Sequence, residues 1–355
     1  MDRCFRLALK GTGNVSPNPL VGAVLVKDGV KIGEGFHERF GGHHAEINAI
    51  QNALAKKKEI HGSTLYVNLE PCSHHGKTPP CVDAVIRHGI ARVVIGCMDP
   101  NPVVAGRGIA RLREKNIKVR CGIRVKEAER LNQAFFKYIL TGRPFITMKA
   151  AQTADGYIAR TDGSSQWITN QWSRRFVHHL RNENDAVLVG SGTVLQDDPE
   201  LTVRSVPGRN PYRVILDGRF RVPLDRKIFN EQAKTILYIS DQAAAREKTK
   251  VRSLERKGVT VVPMRKTGAY LDLHSVLIDL GNRGIASVMI EGGSGIYTSF
   301  LNAALIDSML LFTAQKKFRN GITTFGKLSV SFKKKLVSER TFRTDRLQEF
   351  RITFP

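Results

Sequence analysis

His44, Glu46, Cys72 and Cys81 are residues of the types, and at the spacings, that hold a catalytic zinc ion. One imidazole and two thiolates fill three corners of a tetrahedron and leave the fourth for water, which is how a catalytic rather than a structural zinc site is built. Zinc so held brings water toward neutral acidity. A carboxylate that is not itself a ligand can then take the proton and pass it to a leaving amine. Glu46, two residues beyond His44, is assigned that task. The neighbouring His43 is read as a surface residue or a support for the ligands.

Bringing these four side chains together requires particular elements. LVGAVLVKDG (20–29) reads as a buried strand closing on an Asp28-Gly29 turn, and KIGEGFH (31–37) as its hairpin partner. HHAEINAIQNALAKKKE (43–59) changes to helical spacing, with Ile47, Ile50 and Leu54 at intervals of three and four. A strand at 63–71, a helix at 81–89, a strand at 91–100 and a helix at 108–116, before KVRCGI (118–123), follow. This order predicts a mixed α/β sandwich whose sheet is covered on both faces. His44 then opens one helix, Cys72 follows a strand, and Cys81 opens the next helix. Taken one at a time, each of these residues would pass as a helix-start polar group, a first-turn carboxylate or a small core thiol. Together, His-x-Glu followed by Pro-Cys and a later Cys is the pattern of zinc nucleobase deaminases.

A single predicted helix over 125–140 ends at TGRPF (141–145), which places a domain boundary at 143/144. Beyond it, strands at 146–153, 185–190, 212–218, 235–240, 259–263 and 287–293 alternate with helical stretches, a second α/β domain. SVMIEGGSGIYTSFL (287–301) is a strand, a Gly-rich turn and a helix, so its helix N-terminus is a place for phosphate. It is not a Rossmann fingerprint, because Gly293-x-Gly295 is followed by Thr298 and no acidic residue stands about twenty positions on.

The totals limit the function. A chain of 355 residues suits two domains, with 41% hydrophobic and 25% charged residues as in soluble globular proteins. There is no apolar run of membrane-spanning length and no secretory pattern, so a cytoplasmic location without membrane partners is expected. Five scattered cysteines suggest reduced thiols available for metal. The net charge of +24 attracts polyanions, whether nucleic acid or phosphorylated small molecules.

SPNPLVGAVLV, HAE and EPCSHHGKTPPC resemble the bifunctional deaminase-reductases of bacterial riboflavin biosynthesis. Nine positions separate Cys72 from Cys81, where cytidine and tRNA-adenosine deaminases have three. In the second half, Lys149, DGYIARTDGSSQWIT, LRNENDAVLVGSGTVLQDDPELTVR, RVILDGR and EGGS match the same family's reductase domain. The resemblance implies a cytidine-deaminase-like domain over 1–143 and a dihydrofolate-reductase-like domain over 144–355. It implies one Zn2+, NADPH, and a phosphoribosylated diaminopyrimidine substrate. Deaminase substrate contacts carry over to Asn18, His37, His74 and Lys77. Reductase substrate contacts carry over to Ser165, Arg181, Leu201, Arg204 and Glu291. Cofactor contacts fall on Lys149, Ala151, Trp167, Thr193, Asp197, Gly218 and the turn Gly293, Ser294, Gly295, Ile296, Tyr297, Thr298 and Ser299. Arg181 and Arg204 have the forked guanidinium that suits a phosphate arm. A homo-oligomer is expected.

Ala154, Gly218 and the stretch TAQKKFRNGITTFG depart from that family's pattern, so a deaminase-only member with a weakened reductase is one alternative. A nucleic-acid deaminase is another. It would need stacking surfaces and a groove tracking a phosphate backbone, and with aromatics at 7% and no basic-aromatic interleaving, nucleic acid is not expected as a partner.

Overall fold

The computed structural model describes residues 1–74, 79–102, 104–268 and 270–355. The chain divides into two compact units, Met1–Arg143 and Pro144–Pro355. No helix among the described residues is long and apolar enough to cross a membrane.

In the first unit, helix α1 (Asp2–Ala8) precedes a hairpin of β1 (Gly22–Lys27) and β2 (Val30–Phe36). Then come α2 (Ala45–Ala55), β3 (Thr64–Leu69), α3 (Cys81–Arg87), β4 (Arg92–Cys97), α4 (Arg107–Glu114), β5 (Lys118–Cys121), α5 (Val125–Leu131) and α6 (Gln133–Thr141). The sheet order is β2-β1-β3-β4-β5. β1 is antiparallel to both β2 and β3, whereas β3, β4 and β5 run parallel. Alternation along the strands divides the core. Ala23 and Leu25 pack with α2, α3 and α4 on one face, while Val24 packs with Cys4 and Leu7 of α1 on the other.

Two glycines let α2 lie close on β2. A Cβ at Gly33 would sit 2.4 Å from the Ala49 carbonyl oxygen, and one at Gly35 would sit 2.4 Å from the Ala49 nitrogen. That close seat fixes where the start of α2 points. The helix expected over 125–140 is in fact two, broken at Asn132. The buried Asn132 side chain accepts from the Leu20 N–H at 2.7 Å and donates to the Leu20 carbonyl at 3.0 Å. It is therefore used to clamp the loop before β1, with Asn68 donating to the same carbonyl at 2.9 Å.

The second unit contains β6 (Phe145–Gln152), β7 (Tyr157–Ala159), α7 (Gln171–Glu183), β8 (Ala186–Gly190), α8 (Ser191–Asp197), β9 (Tyr212–Leu216), β10 (Thr235–Ser240) and α9 (Asp241–Arg246). It continues with α10 (Lys248–Arg256), β11 (Thr260–Met264), β12 (Lys266–Thr267), β13 (Tyr270–Leu271), α11 (Leu273–Asn282), β14 (Ser287–Ile290) and α12 (Ser294–Asn302). Last come β15 (Ser308–Thr313), β16 (Ile322–Thr323), β17 (Lys333–Phe342) and β18 (Asp345–Thr353). The main sheet has nine strands in the order β11-β10-β9-β8-β14-β6-β15-β18-β17. From β11 to β15 it is parallel, and only the last two pairings, β15 with β18 and β18 with β17, are antiparallel. Every residue of β8 and β10 is buried, as expected of parallel strands with helices on both faces. Leu188 joins the core that includes α11 and α12, while Val187 and Val189 join the core that includes α7 and α10. Arg213 of β9 is wholly buried, and its guanidinium donates to Thr235 Oγ1, Asn230 Oδ1 and the carbonyls of Asn230 and Ala233. Those acceptors are what make a charged group tolerable there.

Candidate functional site

In the first unit the helix starts and the end of β3 meet at one place. His44 is the N-cap of α2, with an extended backbone and no side-chain cap, so its imidazole is free to face the cysteines. Its Nδ1 lies 3.5 Å from Cys72 Sγ and 3.3 Å from Cys81 Sγ. The three potential ligand atoms all lie within 4.8 Å of one another. Tetrahedral zinc with ordinary Zn–N and Zn–S bonds would separate a nitrogen from a sulfur by about 3.5 Å. The donor set and its spacing therefore fit zinc. Cys72 is pulled down to about 4, first by its hydrogen bond with Cys81 and, against burial, by His44. The Cys81 N–H also donates to Cys72 Sγ at 3.3 Å.

Glu46, in the first turn of α2, is 3% exposed, and burial raises its pKa. A carboxyl so placed exchanges a proton more readily near neutral pH than an exposed one. Beside it, His37 forms a relay of hydrogen bonds. Its Nδ1–H donates to the His43 carbonyl at 3.0 Å, which leaves Nε2 to accept from Asn18 Nδ2 at 3.1 Å. Burial lowers the His37 pKa, so the ring is neutral and this tautomer is consistent. The His37 ring meets that of His44 edge-on, with centroids 5.3 Å apart. Asn18, His37 and His44 thus stand together. His43 is exposed and takes part through its carbonyl alone. His74 is exposed beyond Cys72, and Lys77 lies outside the described residues.

Sequence reasoning gave Glu70 no role beyond its place in the motif. Its buried carboxylate accepts from the backbone N–H groups of Asp99 at 3.3 Å, Gly106 at 3.0 Å and Ile109 at 3.1 Å. It ties the start of α4 to the segment that carries Cys72. Gly108 permits the approach, since a Cβ there would lie 2.3 Å from the Pro71 carbonyl oxygen. Glu70 is thus a positioning residue. Glu70→Ala is expected to destabilise the first unit by about 1–3 kcal/mol for each amide left unpaired. It should also lower the kcat for ammonia release while zinc content stays near one per chain, and Glu70→Gln, which keeps an acceptor oxygen, should restore most of the rate. Denaturant unfolding with metal analysis checks this.

The second unit has a cavity of about 1470 Å³ beyond the ends of β6, β14, β8 and β9. Lys149, Ala151, Ser165, Trp167, Arg181, Thr193, Asp197, Leu201, Arg204, Gly218, Glu291 and Gly293 through Tyr297, with Ser299, line it. Thr298 does not. Its hydroxyl donates to the Ser294 carbonyl at 2.6 Å and accepts from the Gly326 N–H at 2.8 Å, on the other side of α12. Ser165 Oγ reaches Asp197 Oδ1 at 3.4 Å. The exposed Trp167 ring carries the Arg174 guanidinium 4.5 Å from its centroid.

Arg181 is not a free phosphate fork. It is bidentate to Glu291, at 2.6 and 3.1 Å, and donates to the Thr202 carbonyl at 3.0 Å. Lys149 Nζ lies 3.8 Å from the same carboxylate. Burial alone would raise the Glu291 pKa, but Arg181 and Lys149 outweigh it and hold the carboxyl at about 2. Arg204 is more open, reaching Glu200 at 3.2 Å. His178 of α7, not singled out in the sequence, also lines the cavity, accepts from the Arg204 N–H at 3.3 Å, and is lowered to about 4 by burial and then by Arg181 and Arg204. A histidine on a helix, beside His179, gave no signal of this.

The first unit has the donor set and the helix-and-strand frame of a zinc-type deaminase, and the second is an α/β unit with a large cavity at its strand ends. Residues 1–97 match the cytidine and deoxycytidylate deaminase zinc-binding region, and residues 144–345 match the RibD C-terminal domain. The riboflavin biosynthesis protein RibD of Aquifex aeolicus is 43% identical over 356 residues, covering 100% of this chain and 96% of that protein. RibD of Escherichia coli is 41% identical over 329 residues, covering 89% and 87%. A crystal structure from Thermotoga maritima, a diaminohydroxyphosphoribosylaminopyrimidine deaminase/5-amino-6-(5-phosphoribosylamino)uracil reductase, superposes with a TM-score of 0.88 at 42% identity, covering 99% of this chain and 97% of that one. The chain belongs to the riboflavin biosynthesis protein RibD family, which combines a deaminase and a reductase in one polypeptide.

Proposed function

We propose that the first unit hydrolyses 2,5-diamino-6-(5-phosphoribosylamino)pyrimidin-4-one with release of ammonia. The second unit then uses NADPH to reduce the ribosyl chain, giving 5-amino-6-(5-phosphoribitylamino)uracil. The observation that carries the reading is the convergence of His44, Cys72 and Cys81 beside a buried carboxylate, Glu46, that is not needed as a ligand. His44, Cys72 and Cys81 would hold zinc, whose Lewis acidity makes water nucleophilic near neutral pH. Glu46 accepts the proton from water and delivers it to the departing amine. Asn18, held by His37, offers donor and acceptor to the pyrimidine edge, and His74 has the chemistry to take the hydroxyl or phosphate groups of the arm, a role the resemblance also gives to Lys77.

Bound in the second unit, NADPH would supply the hydride for C1 of the ring-opened ribosylamine, whose nitrogen would take up a proton. Lys149, fixed by Glu291, stands within β6 on the cavity wall, where nicotinamide and sugar would meet, and Arg204, with Ser165 and Leu201, would border the sugar. Arg181 acts through Glu291. Ala151, Trp167, Thr193, Asp197 and the turn beginning at Gly293 would hold the cofactor. This reading places the enzyme in the cytoplasm as a homo-oligomer, without nucleic-acid or membrane partners.

The test is ammonia release from the phosphoribosylated diaminopyrimidine beside cytidine and a tRNA anticodon stem, followed by NADPH oxidation on the deaminated product. Release from the first substrate alone, then oxidation, is expected. Comparable release from the tRNA stem would overturn the substrate assignment, and absence of oxidation would leave a deaminase only.

A further inference from the structure

The reductase cavity passes the ends of four consecutive strands, β9, β8, β14 and β6. Neighbouring strands lie about 4.8 Å apart, so β6 and β9 are separated by roughly 14 Å. That span matches the reach of an extended nicotinamide dinucleotide. With the nicotinamide at Lys149 and Ala151 and the diphosphate at Gly293 and Ser294, the adenosine ribose arrives at the loop following β9.

That loop reads Asp217-Gly218-Arg219-Phe220-Arg221 and is pinned from below. Asp217, 1% exposed and itself lining the cavity, accepts from the Val222 N–H through Oδ2 at 2.8 Å, and the Phe220 N–H donates to the Asp217 carbonyl at 2.8 Å. The buried Phe220 ring lies 4.2 Å from Lys250 Nζ, which also donates to the Phe220 carbonyl at 2.8 Å. Anchored in this way, the loop presents Arg219 and Arg221 outward, both lining the cavity and both exposed. Arg221 Nη2 takes a hydrogen bond only to Ser191 Oγ, at 3.2 Å, and Arg219 has no hydrogen-bond or ion-pair partner among the described residues. Lys227 borders the same end but is tied to Asp198, 3.8 Å away. At this end the cavity wall carries two forked cations, with the Asp217 carboxylate held beside them by the Val222 N–H.

We propose that Arg219 and Arg221 bind the 2′-phosphate of NADPH and thereby set the preference of the second unit for NADPH over NADH. The inference rests on the reductase reading and names the residues that select its cofactor. A guanidinium matches the phosphate oxygens in two-pronged geometry, and an already ordered Arg221 loses little freedom on binding. Titration calorimetry of the full-length protein with NADP+, NAD+ and 2′,5′-ADP tests it, comparing the unsubstituted chain with Arg219→Ala, Arg221→Ala and the double variant. The unsubstituted chain should bind NADP+ at least about tenfold more tightly than NAD+. Each single variant should lose about tenfold, and the double about 100-fold, in affinity for NADP+ and 2′,5′-ADP. NAD+ binding should persist in all of them, which also reports an intact fold. Equal binding of the two dinucleotides by the unsubstituted chain, a retained preference in the double variant, or parallel loss of both dinucleotides would overturn the proposal. Absence of binding by the unsubstituted chain to all three ligands would instead reject the cofactor reading on which it stands.

Discussion

Glu46→Gln is expected to keep one zinc per chain and to lower ammonia release by about 10³-fold, in the range that general acid–base groups supply. The amide has nearly the shape of the carboxyl, so α2 keeps its close seat on β2 and His44 keeps its place at the helix start. Glu46 is 3% exposed, and removing its ionisable proton relieves a group that burial already disfavours in charged form. Folding is therefore expected to be unimpaired or slightly improved. The loss should fall on kcat, because the proton shuttle matters only once the reaction is under way. Reduction of the pre-deaminated intermediate should proceed at the unsubstituted rate. Metal analysis, ammonia assay and NADPH absorbance on one preparation separate the outcomes. Loss of zinc would make Glu46 part of the metal's support, and unchanged ammonia release would remove it from the chemistry.

The sequence made the deaminase centre legible because its parts are local. His44 and Glu46 belong to one helix start, and Glu70, Pro71 and Cys72 to one strand end, so a motif of a few residues reports most of the geometry. Many strands were open to reading, since a fully buried parallel strand such as β8 is a continuous apolar run, but β15, β17 and β18 of the nine-stranded sheet were not expected. What escaped was whatever depends on partners distant in sequence. β17, with Lys333, Lys334 and Lys335 exposed, reads as a solvated charge run and becomes a strand through pairing with β18. The break at Asn132 is set by Leu20, 112 residues away. In the reductase, Arg181 looked like a phosphate fork because its carboxylate partner, Glu291, lies 110 residues further along. Thr298 looked like part of a glycine-rich turn, but a helix shows one face to a cavity, and its hydroxyl belongs to the other.

The same buried cluster supports the strongest prediction for the second unit. Glu291→Gln is expected to destabilise that unit by about 3–5 kcal/mol, the range found when one partner of a buried ion pair is removed. Arg181 and Lys149 would then face each other across a neutral amide, and Lys149 would lose the charge that offsets its burial. NADPH oxidation should fall roughly 100-fold, the scale of loss that about an ångström of misplacement produces. Ammonia release by the first unit should be unchanged. Acidity supplies an independent check. Glu291 titrates at about 2 in the folded chain against an ordinary 4.5, so its contribution to stability is full above that ordinary value and is lost as pH falls toward 2. The unsubstituted second unit should therefore lose more stability over this interval than the glutamine variant, by urea unfolding at successive pH values. Equal losses would mean that Glu291 is not held low in the folded state. Full reductase activity in the variant would make the trio a scaffold with no part in placing Lys149.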